Sequence, residues 1–339
     1  MATANPTLTF DSTSDANFRA WGSGISSALQ TCGLVQTTDT GQINWTTVTR
    51  TNVAYSGGGI ENVVGYEIYK FNDSLQATVP VFIKIEYGYI GDDNASHSAR
   101  VITAPVLFIT VSNATNGAGA MNGTLLSGRT RVAGGTPESV GSSTADGSGT
   151  TATPSPCFFS GNGSYINIAL GVTTVAQPTY SSVAGQTHYS SFPAILTIER
   201  SLNTDGSINN NGVYLLTSKW TTSDITPPTV PVPTSQMLSY SLGAAPVDSF
   251  WPIGWPGQGF GSGTFNATVS LWPMMGYTGA AFQGSAMLGI YNSDIACGTV
   301  ISTTVLGNTH SYVSLAGIST TRFLVDNNIA SAAGLMRYD

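Results

Sequence analysis

The sequence predicts a mainly β protein, with β-sandwich or jelly-roll-like domains and one N-terminal amphipathic helix. Runs dense in Val, Ile, Tyr and Phe recur with period-two alternation between short clusters of Gly, Asn, Asp and Ser, the pattern of strands and turns. Only one stretch, Ser14 to Gly33, carries helical spacing throughout. Charged residues make up 9% of the chain, far below the roughly 25% usual in soluble proteins. Such a surface is neutral and polar, and it suits proteins that bury large areas against neighbours, because a buried charge without a partner is costly.

The helix comes first. Phe18, Trp21, Ile25, Ala28, Leu29 and Cys32 recur at three- and four-residue steps and form one apolar stripe. Ser14 supplies an N-cap, Asp15 a negative first turn, and Gly33 the residue at which a helix closes in the left-handed conformation. Gly22 and Gly24 weaken the helix by roughly 1 kcal/mol each relative to Ala, so it needs a sheet to dock on.

After Gly33, LVQTTDTGQINWTTV alternates about a polar turn at Asp39 to Gly41 and predicts two short strands joined by a tight loop. Val63 to Phe71 and Val79 to Tyr87 are the clearest strands. The charges Glu67, Lys70, Lys84 and Glu86 along them read as a solvated face or cross-strand pairs in preference to catalytic groups. Val101 to Val111 is the next strand. From Ser112 to Gly163 the chain turns to Gly, Ser, Thr, Ala and Asn, a composition expected to be disordered without neighbours. Strands resume at Tyr165 to Val175, Ser191 to Arg200 and, after an Asn/Asp/Gly-rich turn, Val213 to Trp220. Pro227, Pro228, Pro231 and Pro233 stiffen the backbone that follows. The expected organisation is therefore a domain at 1–225 with helix 14–33 and a low-complexity insertion at 112–163, a linker at 226–236, and a second β-rich domain at 237–339.

That second part opens on the most hydrophobic loop of the chain. Trp251, Trp255, Phe260 and Trp272, interleaved with Pro252, Pro256 and Pro273, read as a protein interface or local core in preference to a platform for sugar rings. Strands are expected at 265–271, 286–291, 299–305 and 311–315, and Leu335 to Asp339 forms a last one.

Searching for chemistry finds little. His97, His188 and His310 lie in separate polar segments without metal-ligand spacing, and no hydrolase, P-loop or dinucleotide fingerprint is present. Asp92-Asp93-Asn94 lacks the spaced carboxylates of a defined calcium loop. Cys32, Cys157 and Cys297 read as small buried hydrophobes, with a single disulfide left open. No catalytic residue, cofactor or metal is expected. The balance of 11 basic against 18 acidic residues gives no footprint for nucleic acid. The first residues lack the charged and apolar regions of a signal peptide, and no apolar run spans a bilayer, so synthesis in a cytoplasm without a membrane anchor is expected.

FRAWGSGISSALQTCGLVQTTDTGQINW, from Phe18 to Trp45, and GYEIYKFNDSLQATVPVFIKIEYG, from Gly65 to Gly88, resemble a group of structural proteins encoded among the tail and virion genes of tailed bacteriophages. The shared features are the aromatic helix, the TDTGQINW turn, the YEIY strand with its following FND, and the terminal Arg337-Tyr338-Asp339. The resemblance implies a virion component of the tail, baseplate, neck or collar, with other copies of itself and other virion proteins as partners, and it brings no catalytic residues. The rival expectation is an adhesin that binds a receptor or a host surface glycan through the region of Trp251, Trp255 and Trp272 or through the variable middle from about Ser112 to Val183.

Overall fold

The computed structural model describes residues 1–9, 14–49, 60–91, 102–134, 154–170, 194–202, 208–218, 233–239, 243–247, 272–273, 287–290, 298–305, 308–314, 322–325, 328–331 and 333–339. In chain order these form β1 (Ala2–Ala4), β2 (Thr7–Thr9), α1 (Asp15–Thr31), β3 (Val35–Gln36), β4 (Ile60–Lys70), a 3-10 turn (Ser74–Ala77), β5 (Phe82–Gly91) and β6 (Ile102–Thr115). Then come β7 (Met121–Leu126), β8 (Thr130–Gly134), β9 (Pro154–Gly161), β10 (Tyr165–Leu170), β11 (Ala194–Leu202), β12 (Ile208–Ser218), β13 (Pro233–Ser239) and β14 (Gly243–Val247). The last are β15 (Trp272–Pro273), β16 (Met287–Ile290), β17 (Val300–Val305), β18 (Asn308–Ser314), β19 (Arg322–Val325), β20 (Asn328–Ser331) and β21 (Ala333–Arg337). The protein is mainly β, with one α-helix near its N-terminus among the described residues.

All strand pairs among the described residues are antiparallel, and most neighbours in a sheet are also neighbours in sequence. A six-stranded sheet runs β3-β4-β5-β6-β7, with β8 also on β6; an eight-stranded sheet runs β1-β9-β10-β11-β12-β13-β14, with β2 on β9. A five-stranded sheet, β15-β16-β21-β18-β17, and the hairpin β19-β20 complete the set. Period-two alternation explains how the first two sheets meet. Ile83, Ile85 and Tyr87 of β5 and Leu107, Ile109 and Val111 of β6 share one core with Ile166, Ile168 and Leu170 of β10 and Leu196 and Ile198 of β11.

The eight-stranded sheet is covered on its other face as well. Every residue from Tyr165 to Leu170 is buried, without alternation, which is the signature of a strand packed on both sides. Its second face meets the chain's C-terminal residues: Phe158 packs edge-on against Tyr338, with ring centroids 5.9 Å apart, and Ser160 Oγ donates to the Arg337 carbonyl. The layers are thus helix and six-stranded sheet, then eight-stranded sheet, then five-stranded sheet.

Helix α1 forms as its sequence dictates. The Asn17 N–H donates to Ser14 Oγ at 3.1 Å, and Phe18, Trp21, Ile25, Ala28 and Leu29 are buried. At its end Gly33 takes φ +94°, the Gly33 N–H reaches the Gln30 carbonyl and the Leu34 N–H reaches the Leu29 carbonyl, the paired bonds of a Schellman cap. The stripe docks on β5 through rings: Trp21 meets Tyr87 edge-on at 6.0 Å, and Phe18 lies 5.8 Å from Trp21. Between Ile25 of the helix and the two sheets remains a cavity of about 10 Å³ lined by aliphatic side chains, which leaves a water nothing to bond to.

The helix glycines have a packing reason. A Cβ on Gly22 would overlap the indole of Trp45, and one on Gly24 would meet Leu8. Gly22→Ala is expected to lose about 1 to 3 kcal/mol through overpacking, against the roughly 1 kcal/mol that helix propensity returns. Chemical denaturation measures the balance, and a net gain in stability would refute the Trp45 contact.

Three sequence expectations need correction. The segment after Gly33 is not a hairpin: only the two residues of β3 pair with β4, and side chains do the rest. Gln42 Oε1 accepts the Ile68 N–H at 2.8 Å, while the N–H groups of Thr37 and Ile43 donate to the Ile68 and Tyr66 carbonyls. Gln42 therefore caps the edge of β4 as a strand would. The supposed insertion at 112–163 is built into the sheets at both ends, since β6 to β8 belong to the six-stranded sheet and β9 lies inside the eight-stranded one; residues 135–153 fall outside the described residues. The linker drawn at 226–236 overlaps β13, which pairs with β12 from Gly212↔Ser239 to Ser218↔Pro233, so the eight-stranded sheet continues to Val247 and the boundary at 237 cuts through it. Proline permits this because Pro233 opens its strand and Pro246 lies on β14, the last strand of the sheet.

Candidate functional site

The densest polar cluster of the described residues centres on Glu67, only 1% exposed. Sequence alone reads Glu67 as a surface charge. A register shift between Val63 and Gly65 resets the alternation of β4, so Gly65 pairs with Tyr87 and Glu67 with Ile85, both facing the core under α1. The carboxylate is held by neutral donors: Ser26 Oγ at 2.8 Å and Trp45 Nε1 at 3.1 Å on Oε1, Tyr69 Oη at 2.8 Å and Tyr87 Oη at 2.6 Å on Oε2. Gln36 Nε2 lies at 3.5 Å from Oε1. Each oxygen thus accepts at least two bonds from the protein, which takes up its lone pairs.

The two phenols remain donors. Burial first, then the charge of Glu67, holds Tyr69 well above the usual tyrosine range. Tyr87 is raised in the same direction by burial, then by Tyr69 and Glu67. The cluster joins four pieces of chain: Ser26 from the helix, Gln36 and Trp45 flanking the TDTGQ loop, Glu67 and Tyr69 from β4, and Tyr87 from β5. Chemically it is a joint. Its acceptor positions are filled by the protein and it is closed to solvent.

Two further clusters tie the layers together. Arg200 of β11, 1% exposed, places its Nε and Nη2 on the two oxygens of Asp73, and its Nη1 donates to the Val79 carbonyl at 2.8 Å. A guanidinium fork matches a carboxylate in this bidentate way, and it pins the turn after β4 to the eight-stranded sheet. At the other face, Asp339 accepts from Arg337 Nε at 2.7 Å and bonds His310 Nδ1 at 3.0 Å, while Tyr165 Oη donates to the Asp339 main-chain oxygen at 2.9 Å. The Arg337 guanidinium stands 5.1 Å from the Tyr165 ring centre.

Burial alone would raise the Asp339 carboxyl, but the bonds and charges of Arg337 and His310 more than offset it and hold the group below the usual range. A carboxyl whose folded value is depressed contributes stability above its unfolded value, near 3.9, and loses it as pH falls through the folded value. Asp339→Asn is thus expected to cost about 1 kcal/mol at neutral pH, a figure reduced for partial exposure, and to cost nothing near the acid limit. Urea denaturation of both chains across that range measures it; an equal loss at all pH values would contradict the ionic origin.

The sequence-stated interface residues Trp251, Trp255 and Phe260 lie outside the described residues, and of Trp272 the structure gives the backbone, paired with Gly289. Asp92-Asp93-Asn94, His97, His188 and Cys297 also lie outside them. Cys32 and Cys157 are buried, and burial pushes the Cys32 thiol up to about 12. Glu86 is the surface pair expected of it, bonded to Arg129 Nε at 2.7 Å and 3.8 Å from Lys84 Nζ. Among the described residues no group of three or more His, Cys, Asp or Glu could hold a metal ion, and no helix is long and apolar enough to cross a membrane. Sequence reasoning missed the Glu67 cluster because the bulge that inverts β4 leaves no mark in composition. Alternation counted back from Tyr69 and Phe71 would have placed Glu67 inside. No protein-family model, curated protein or solved structure matches the chain.

Proposed function

We propose that the chain is a non-enzymatic structural component of a tailed-phage virion, working through contacts between subunits. The observation that carries the proposal is where the resemblance residues are spent. Phe18 and Trp21 of the helix, Trp45 of TDTGQINW, Glu67 and Tyr69 of YEIY, Asp73 of FND and the terminal Arg337 and Asp339 all hold one layer against another. Their polar groups are consumed by protein partners. A low-charge chain whose recurrent motifs build a scaffold suits a building block better than a turnover site. The tail, baseplate, neck or collar are its expected positions, and other virion proteins its neighbours.

Quantitative mass spectrometry of density-purified particles from cells producing this protein tests the proposal. A fixed copy number per particle, retained through repeated banding, is the expected result. Recovery only in the soluble lysate would overturn it, and retention of binding to host-surface glycans by the free protein would favour the adhesin.

A further inference from the structure

The edges of the sheets are guarded unequally. Among the described residues, β3 and β15 end their sheets with two residues each, and β1 and β2 have three each with Pro6 between them. β14 carries Pro246, β7 carries Gly123 at φ +113°, β8 carries Arg131 and β19 opens on Arg322. Short length, proline, charge and irregular backbone are the means by which natural sheets keep an edge from pairing with another chain. β20 is uncharged but has only four residues. β17 has six, VISTTV, with no Gly, Pro or charge, and five of the six are β-branched. Among the described strands it has a neighbour on its β18 side alone.

A bulge sets the frame of this edge. Gly298, at φ +81°, donates its N–H to the Ser314 carbonyl, and the Ser314 N–H donates to the Thr299 carbonyl, so Thr299 faces β18. Orientation alternates from there along the antiparallel pair. The N–H and C=O groups of Ile301, Thr303 and Val305 turn toward β18, and those of Val300, Ser302 and Thr304 turn outward. Val300 is 53% exposed, more than any other large hydrophobic described within a strand, and Ser302 is exposed beside it.

We propose that β17 pairs antiparallel with β17 of a second copy, about a twofold axis through Ser302, and so joins two five-stranded sheets into one. The edge is its own complement. A twofold axis perpendicular to the sheet keeps the faces in step and sets Val300 opposite Thr304 and Ser302 opposite Ser302, the positions whose backbone groups point outward. No like charges meet, because the chain has no charged residue from Gly298 to Asn308. Such a contact uses the same patch on both copies and closes as a dimer. The proposal rests on the structural-subunit reading for its use and names one of the contacts.

Sedimentation velocity of the purified full chain over a range of concentrations tests it, with circular dichroism to verify the fold of each variant. The expected result for the wild type is a monomer–dimer equilibrium. Ser302→Pro removes an outward N–H and leaves the β17–β18 ladder its bonds, so it is expected to weaken the dimer about tenfold or more. Ser302→Lys sets like charges opposite one another and is expected to weaken it as well, while a mixture of Ser302→Lys and Ser302→Glu chains is expected to restore it; this pair decides the matter should the proline variant not fold. A monomeric wild-type chain, including one whose β17 amides become protected only beside another virion protein, overturns the proposal. So does a folded Ser302→Pro or Ser302→Lys chain that dimerises unchanged, or a mixture no better associated than its parts. A monomeric chain found at fixed copy number in particles sinks this contact and spares the structural role, whereas a dimer that responds to these substitutions but is absent from particles does the reverse.

Discussion

Trp21→Ala is expected to destabilise the protein by about 3 to 5 kcal/mol, as truncation of a large buried aromatic does. Trp21 is 1% exposed at the centre of a ring cluster: it touches Phe18, meets Tyr87 edge-on, and Phe18 and Tyr87 each meet Trp45, at 5.9 Å and 4.7 Å. Removing the indole leaves a cavity where helix, loop and sheet converge. The loss also reaches the polar joint, because Trp45 is positioned both by those rings and by its bond to Glu67. Guanidinium denaturation followed by circular dichroism gives the number. A loss below about 1 kcal/mol would mean that the helix does not depend on this contact.

Glu67→Leu is expected to be as costly, about 3 to 5 kcal/mol, for a different reason. The substitution is close in volume and apolar, so packing changes little. What remains are the hydroxyls of Ser26, Tyr69 and Tyr87 and the indole N–H of Trp45, all aimed at a position with no acceptor. Stranding buried donors costs about 1 to 3 kcal/mol apiece before relaxation. Glu67→Gln keeps the shape and one oxygen but turns an NH₂ toward donors, so a loss of about 2 to 4 kcal/mol is expected on the same grounds. The two variants separate charge from shape. If Glu67→Leu were neutral, the cluster would be replaceable by plain hydrophobic packing, as some buried ionic groups are.

Both expected losses concern residues that the sequence marks unequally. Trp21 was legible because helical spacing and both caps are local signals, written within twenty residues and independent of what the helix docks on. The strands were legible for the same reason: β5 shows its alternation in Ile83, Ile85 and Tyr87 against Lys84 and Glu86. Glu67 was legible only from one side: counted from Val63 the one-residue register shift in β4 puts it on the wrong face, while counted back from Tyr69 and Phe71, beyond the shift, it lies inside.

The sequence by itself determined the class of the fold, the N-terminal helix with its two ends, and the buried state of Cys32 and Cys157. Tertiary structure decided how the layers are stacked. Only there does β9, drawn from a Gly- and Ser-rich stretch, become an inner strand, and only there do β13 and β14 extend the eight-stranded sheet past a run of prolines. Only there do Asp73 and Arg200, 127 positions apart, form one ion pair. Local spacing encodes which backbone conformation a segment adopts and which of its faces is apolar. Partners distant in the chain are chosen by the fit and the hydrogen-bond accounting of the assembled core, which no local pattern contains.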